Sequence, residues 1–265
     1  MLAQGIESLI ENCKKEVQQI NKLTLERTIV RYPSAFEDDK VQFPSYQDVS
    51  ESMSYIYKDN NGNIRKFLTM FNHVELSGYT VHYFDAIGKI VYSHIYSRSY
   101  MTPHFYGYRY MYEGKQVFCD MDVYDEDKDS WERITYNWGE ILSSYYNSFD
   151  KILHADSILS FCESSYNVQD IFIADLTDKI CFVPPAKGTK TIINAKRVNI
   201  REKDTVNSSS ILTPLFGEIV EILEKGKEEN IAPYGMHNWY KVVVNDKTGY
   251  IYGAFLEPIE REAEE

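Results

Sequence analysis

The sequence is poor in the features that mark several large functional classes. It holds no apolar run of about 18 residues, the length a membrane-spanning helix needs, so no such span is expected. Positive charge is scarce: 28 Lys and Arg stand against 40 Asp and Glu, for a net charge of −12. A nucleic-acid binder needs a basic face to displace counterions, and an anionic membrane surface attracts basic segments, so neither partner is expected. Cysteine is rare, at four in 265 residues, and Cys13, Cys119, Cys162 and Cys181 show no CxxC spacing. That excludes a zinc knuckle, and thiols so placed read as small buried hydrophobes. No GxSxG, HExxH or glycine-rich phosphate loop occurs, so neither those chemistries nor a cofactor is expected.

What is present is apolar and aromatic. Hydrophobic residues make up 43% of the chain, enough for a globular protein, and 265 residues suffice for two domains. The 22 Tyr and 13 Phe suit sheet surfaces that are half buried with a wet edge.

Residues 4–22 predict a helix. Ile6, Leu9, Ile10, Cys13, Val17 and Ile20 form one apolar stripe, and Glu7, Glu11, Lys14, Lys15, Gln18 and Gln19 lie on the other face. Such a one-sided helix needs a sheet to lie on. Residues 26–32 alternate as a strand that Pro33 ends. From Ser52 to Tyr136 the period is two, with strands expected near 52–58, 63–72, 77–84, 89–98, 105–112, 116–124 and 131–136. Gly62, Gly88 and Gly114 fall in turns spaced by 26 and 26 residues, each between an aromatic strand and a second strand. This is an internal repeat of hairpins, whose turns need the positive φ that glycine supplies.

Helical spacing returns over 138–162, and two short strands, 170–175 and 179–183, are expected around a Leu-Thr-Asp turn. Pro184-Pro185 then marks a domain boundary, since neither proline can donate to a ladder. The fold class expected for residues 1–185 is therefore α+β, an antiparallel β-meander with packed helices.

The meander carries four histidines, a residue type that can ligate metal. His82 and His94 flank the Gly88 turn, and His73 and His104 lie nearby. Whether His82 and His94 face each other depends on loop length, because a one-residue slip moves a side chain to the other face. No metal site is expected. Asp125, Asp127 and Asp129 begin like a calcium loop, but Ser130 and Tyr136 stand where that loop needs its glycine and closing glutamate, so the run reads as solvated charge.

The C-terminal quarter carries the most specific motifs. Arg197-Val198-Asn199-Ile200-Arg201 has the form R-x-N-x-R, and a polar loop from Glu202 to Ser210 follows it. Trp239-Tyr240-Lys241-Val242 and Gly249-Tyr250-Ile251-Tyr252-Gly253 close the region around a tight turn. Together these resemble the bacterial SH3 domain, although Pro214 and Phe216 depart from the family's pattern within Ile211–Gly217. The resemblance implies an all-β SH3-like barrel over 190–258, with a role in binding cell-wall peptide or another envelope ligand. It places the ligand groove near Tyr234, Trp239, Tyr250 and Tyr252. Alternation puts Tyr250 and Tyr252 on one face and Ile251 on the other, so the tyrosines are outside if Ile251 is core.

Bacterial SH3 domains often accompany cysteine peptidases. Such an enzyme needs its Cys at a helix N-terminus beside a His, and none of the four cysteines is so placed, which leaves no catalytic residue to name. The expectation is a non-enzymatic envelope-binding protein, periplasmic or at the cell surface, with the cytoplasm as the alternative. Met1-Leu2-Ala3-Gln4 reads like the residue of a trimmed signal segment. Two other classes remain open. One is a hydrolase of cell wall or glycan using Asp120, Asp122 and a meander histidine; the other is an interaction or inhibitor protein using the Tyr-rich sheet.

Overall fold

A computed structural model describes residues 2–31, 53–73, 76–99, 105–113, 115–125, 130–133, 155, 158, 172–195, 197–215, 217–232 and 234–263. The described chain divides into two compact units, the first holding residues up to Cys181 and again from Glu262, the second Phe182–Arg261.

The first unit contains α1 (Leu2–Ile20), β1 (Thr24–Arg31), β2 (Met53–Lys58), β3 (Ile64–His73), β4 (Leu76–Phe84) and β5 (Ile90–Ser99). It continues with β6 (Phe105–Tyr112), β7 (Lys115–Asp125), β8 (Ser130–Arg133) and β9 (Phe172–Val183). These nine strands belong to a ten-stranded sheet, in which they run antiparallel in the order β9-β1-β2-β3-β4-β5-β6-β7-β8, a meander with β9 returning beside β1. Among the described residues α1 is the one complete α-helix, so the unit is mostly β-sheet. The packed helices expected over 138–162 lie outside the described residues, apart from Ala155 and Ile158.

α1 forms because its apolar stripe can be buried. Cys13 and Ile20 are buried, whereas Ile6 near the start stays 40% exposed. The Cys13 thiol donates to the Met111 carbonyl at 3.2 Å. Glu16 reaches Arg65 of β3 at 3.0 Å, and Arg65 also donates to Asp59 at 3.3 Å and to the Phe84 carbonyl at 3.1 Å. Arg65 thus ties the helix to two hairpins at once.

Two of the repeated turns are built alike. In the first, the Asp59 carboxylate accepts the N–H groups of Asn61 and Asn63 at 2.9 and 3.0 Å, and Gly62 has φ +81°. In the second, the Asp85 carboxylate accepts those of Ile87 and Lys89 at 3.0 and 2.8 Å, and Gly88 has φ +82°. The glycine takes the left-handed position and the aspartate, three residues earlier, satisfies the turn's donors. The third turn has Met111 in the aspartate's place, and its Gly114 lies outside the described residues.

The two faces of this sheet differ. One face carries Val30, Ile56, Phe67, Phe84, Ile90 and Met111, packed with Ala155 and Ile158 into one core. The Ala155 N–H donates to the Gly88 carbonyl at 2.8 Å. The opposite face carries tyrosines in register: Tyr57, Lys66, Tyr83, Tyr92 and Tyr110 form one row across β2 to β6. Lys66 lies 5.6 Å from the Tyr57 ring centre and 5.2 Å from that of Tyr83, within cation–π range.

One expectation is corrected here. Residues 172–183 are a single strand rather than two strands around a turn. Its pairing with β1 jumps from Arg27↔Asp178 to Ile29↔Ala174, so the extra residues bulge out without reversing the chain.

The second unit contains β10 (Lys190–Ile192), β11 (Ile200–Arg201), β12 (Ser210–Leu212), β13 (Ile219–Ile231), β14 (Gly235–Val244) and β15 (Lys247–Tyr252). Its six-stranded antiparallel sheet has the order β10-β13-β14-β15-β11-β12. The core is Ile193, Val198, Ile200, Val220, Ile222, Tyr240, Val242, Val244, Ile251 and Leu256, the inward half of each alternating strand. β14 and β15 join through Asn245-Asp246, with φ of 48° and 58°, a two-residue turn of the hand that suits a twisted hairpin.

β13 and β14 continue pairing from Lys225↔Tyr240 to Ile231↔Gly235, with a bulge between Lys225 and Glu228. The chain from Glu257 to Ala263 is tied down. Glu257 is 3% exposed, its carbonyl accepts the Thr191 hydroxyl at 2.6 Å, its N–H donates to Ile192, and the chain closes with β16 (Ile259–Glu262).

Candidate functional site

The sequence pointed to Tyr234, Trp239, Tyr250 and Tyr252. On the β14–β15 pair Trp239 lies opposite Tyr252 and Lys241 opposite Tyr250, so these four share the outward face. Tyr240, Val242 and Ile251 take the inward face, and Ile251 is fully buried. Tyr250 is half buried and also pairs with Arg201 of β11.

Outward does not mean open. Trp239 and Tyr252 are each only 2% exposed. Their polar atoms are used inside the unit, in holding the far end of the β13–β14 hairpin. The Tyr252 hydroxyl lies 2.5 Å from both the Glu229 and the Gly235 carbonyls, and it accepts the His237 N–H at 3.1 Å. A phenol has one proton to donate, so the two carbonyls share it. The Trp239 indole N–H donates to the Glu229 carboxylate at 2.6 Å. Burial, with the charges of Glu229 and Glu228, holds the Tyr252 hydroxyl above the ordinary phenol range, against the opposing pull of its backbone hydrogen bonds.

Around Tyr252 the rings form one continuous cluster. Trp239 is 5.4 Å away, His237 5.6 Å and Phe255 6.1 Å between ring centres. Tyr234 meets Phe255 edge-on at 4.8 Å. Such contacts contribute about 0.5–1.5 kcal/mol each beyond burial. The cluster reaches solvent at its rim, where Tyr234 is 40% exposed. Phe255, His237 and Glu229 join the site without a signal in the sequence. The spacing of Phe255 after Tyr252 was visible, but only the short 3-10 turn at Gly253–Phe255 folds that ring back onto Tyr252.

The R-x-N-x-R segment has a local reason. Val198 and Ile200 are buried, and the polar residues between and beside them organise the following loop. The Asn199 side-chain carbonyl accepts the hydroxyls of Ser210 at 3.1 Å and Thr213 at 3.0 Å. Arg201 donates to the Ser208 carbonyl at 2.5 Å, and Arg197 has φ +56°.

In the first unit, His82 and His94 lie on opposite faces. A bulge between Tyr83 and Phe84 shifts the β4–β5 register, so that His82 pairs with Ser93 and His94 with Val81. His82 shares a 2.9 Å hydrogen bond with the Ser93 hydroxyl, and burial, then the charges of Arg109 and His94, push its pKa well below the usual imidazole range. Among the described residues no group of three His, Cys, Asp or Glu is placed to hold a metal. Asp120 pairs with Tyr108 and Asp122 with Tyr106, while the run from Glu126 to Asp129 lies outside the described residues. Cys13 and Cys181 are free thiols.

No curated protein and no solved structure matches the chain. The family model of the bacterial SH3 domain matches residues 196–257, and the C-terminal quarter of the chain is thereby a bacterial SH3 domain.

Proposed function

We propose that the chain is a non-enzymatic binding protein of the bacterial envelope whose C-terminal module, within about 190–258, holds cell-wall peptide. The observation that carries this reading is the bacterial SH3 match over residues 196–257, on a module whose aromatic cluster opens to solvent at Tyr234. An aromatic ring with one open side offers a peptide apolar contact and a polar tip together. Tyr234 contacts the ligand, Tyr250 borders the same face, and Trp239 and Tyr252 form the floor beneath it. The working compartment is the periplasm or the cell surface. The first unit, about 1–185, carries the module. Its Tyr-rich face does not favour a second reading as a contact surface, since Tyr55, Tyr57, Tyr79, Tyr83 and Tyr106 are all at most 3% exposed.

The test is co-sedimentation of the full chain with purified cell-wall sacculi. Retention that falls several-fold in Tyr234→Ala supports the proposal. Equal recovery in the supernatant with and without sacculi contradicts it.

A further inference from the structure

The β13–β14 hairpin runs past the core of its unit. Pairing with β15 stops at Trp239↔Tyr252, yet β14 begins at Gly235, and β13 continues to Ile231. The stretch Gly235–Asn238 therefore has no β15 residue opposite it. An overhanging two-stranded ribbon is marginal by itself in water, so something must fix its position.

Tyr252 supplies that fixing. Its phenol takes the place a further β15 residue would occupy: it accepts the His237 N–H and donates to the carbonyls of Gly235 and Glu229, one on each arm of the ribbon. Trp239 adds a second tie, from its indole N–H to the Glu229 side chain. The residues exposed at the tip, Tyr234 and Met236, lie in the segment so held, and Tyr234 leans on Phe255 of the turn that follows Tyr252. At this tip Lys227 lies 3.7 Å from Glu229, and Glu228 and Asn230 are exposed on β13. The aromatic ring offered to solvent is that of Tyr234.

We infer that Tyr252 is a positioning residue: its phenol sets the hairpin tip that carries Tyr234 in the pose in which that ring takes up a stretch of cell-wall peptide. This rests on the reading of the module as a cell-wall peptide binder.

The experiment uses the full chain, unchanged and as Tyr252→Phe and Tyr234→Ala. Tyr252→Phe removes one oxygen and leaves the ring packing in place. Amide hydrogen exchange at 231–237 and affinity for purified sacculi are both read, with circular dichroism as a check of folding. The inference expects Tyr252→Phe to speed exchange at His237 and to weaken sacculus binding, each about 3- to 10-fold, the effect of losing one ordinary hydrogen bond. Tyr234→Ala should weaken binding by a similar factor and leave exchange at His237 unchanged. Faster exchange with undiminished binding in Tyr252→Phe overturns the positioning role and leaves the module's reading intact. Unchanged exchange overturns it as well. Failure of the unchanged chain to bind sacculi refutes the reading itself, and the inference with it. Binding that survives in Tyr234→Ala removes the tip as the contact surface.

Discussion

Gly249 and Ile200 touch. A Cβ on Gly249 would overlap the Ile200 Cγ2 and stand 2.8 Å from the Arg201 carbonyl. β11 and β15 approach this closely because Gly249 brings no side chain, and Ile200 fills the space with a fully buried one. Gly249→Ala should therefore destabilise the C-terminal module by about 1–3 kcal/mol, the usual cost of forcing a methyl into a packed site. Urea unfolding followed by tryptophan fluorescence measures it. An unchanged midpoint would mean that the two strands separate without cost.

The tyrosines of the same module set an alkaline limit. Tyr240 and Tyr252 are each 2% exposed, and burial raises both phenols above their ordinary value near 10. An acid whose pKa is higher in the folded state stabilises the fold fully below the unfolded value, and that share is lost as pH rises through the folded one. Stability should thus be flat up to about pH 10 from these groups and fall beyond it. Absorbance titration of phenolate should show a late-ionising class that appears together with unfolding. A single normal titration with the fold intact would contradict the burial.

His82 sets an acid limit by the opposite sign. It is a base held neutral by burial and by Arg109 and His94, so its folded pKa lies below the unfolded one. The unfolded chain gains a proton near pH 6.5 while the folded chain does not, so stability is present above about 6.5 and declines as pH falls toward the folded value. His82→Asn should flatten this part of the stability–pH curve, although loss of the Ser93 hydrogen bond lowers the whole curve. A slope unchanged by the substitution would assign the acid sensitivity to other groups.

The two aspartate turns predict a paired result. Asp59→Ala and Asp85→Ala each remove an acceptor for two backbone N–H groups, at a cost of about 1–2 kcal/mol per turn. Asp59→Ala should cost more, because Asp59 also accepts from Arg65, which binds Glu16 of α1. Thermal unfolding of the two variants side by side checks the order. A larger loss in Asp85→Ala would reverse the role given to Arg65.

Much of the first unit was legible because period-two alternation and turn glycines are local signals. β3, expected at 63–72, spans Ile64–His73, and β6 keeps its expected bounds of 105–112. The stripe through Cys13 and Ile20 likewise found its helix. What the sequence hid were one-residue events and long-range contacts. The bulge at Tyr83/Phe84 decides whether His82 and His94 meet, and no residue type announces it. The bulge that keeps β9 a single strand was read as a turn, since Leu176-Thr177-Asp178 has turn chemistry but its partner strand does not reverse. At the candidate site, alternation placed Tyr250 and Tyr252 on one face and Ile251 on the other, as the β14–β15 register has them. It could not show that the β13–β14 overhang engages Tyr252, because that depends on Glu229 and Gly235 returning to its hydroxyl across the hairpin.

The proposed grip of the hairpin tip and its aromatic rim on cell-wall peptide can be followed by titrating the isotope-labelled full chain with soluble cell-wall peptide and recording backbone amide resonances. Concentration-dependent shifts centred on the amides around Tyr234 and on Gly253–Phe255 are expected, weakened in Tyr234→Ala. Shifts confined to other parts of the chain, or none at saturating peptide, would contradict it.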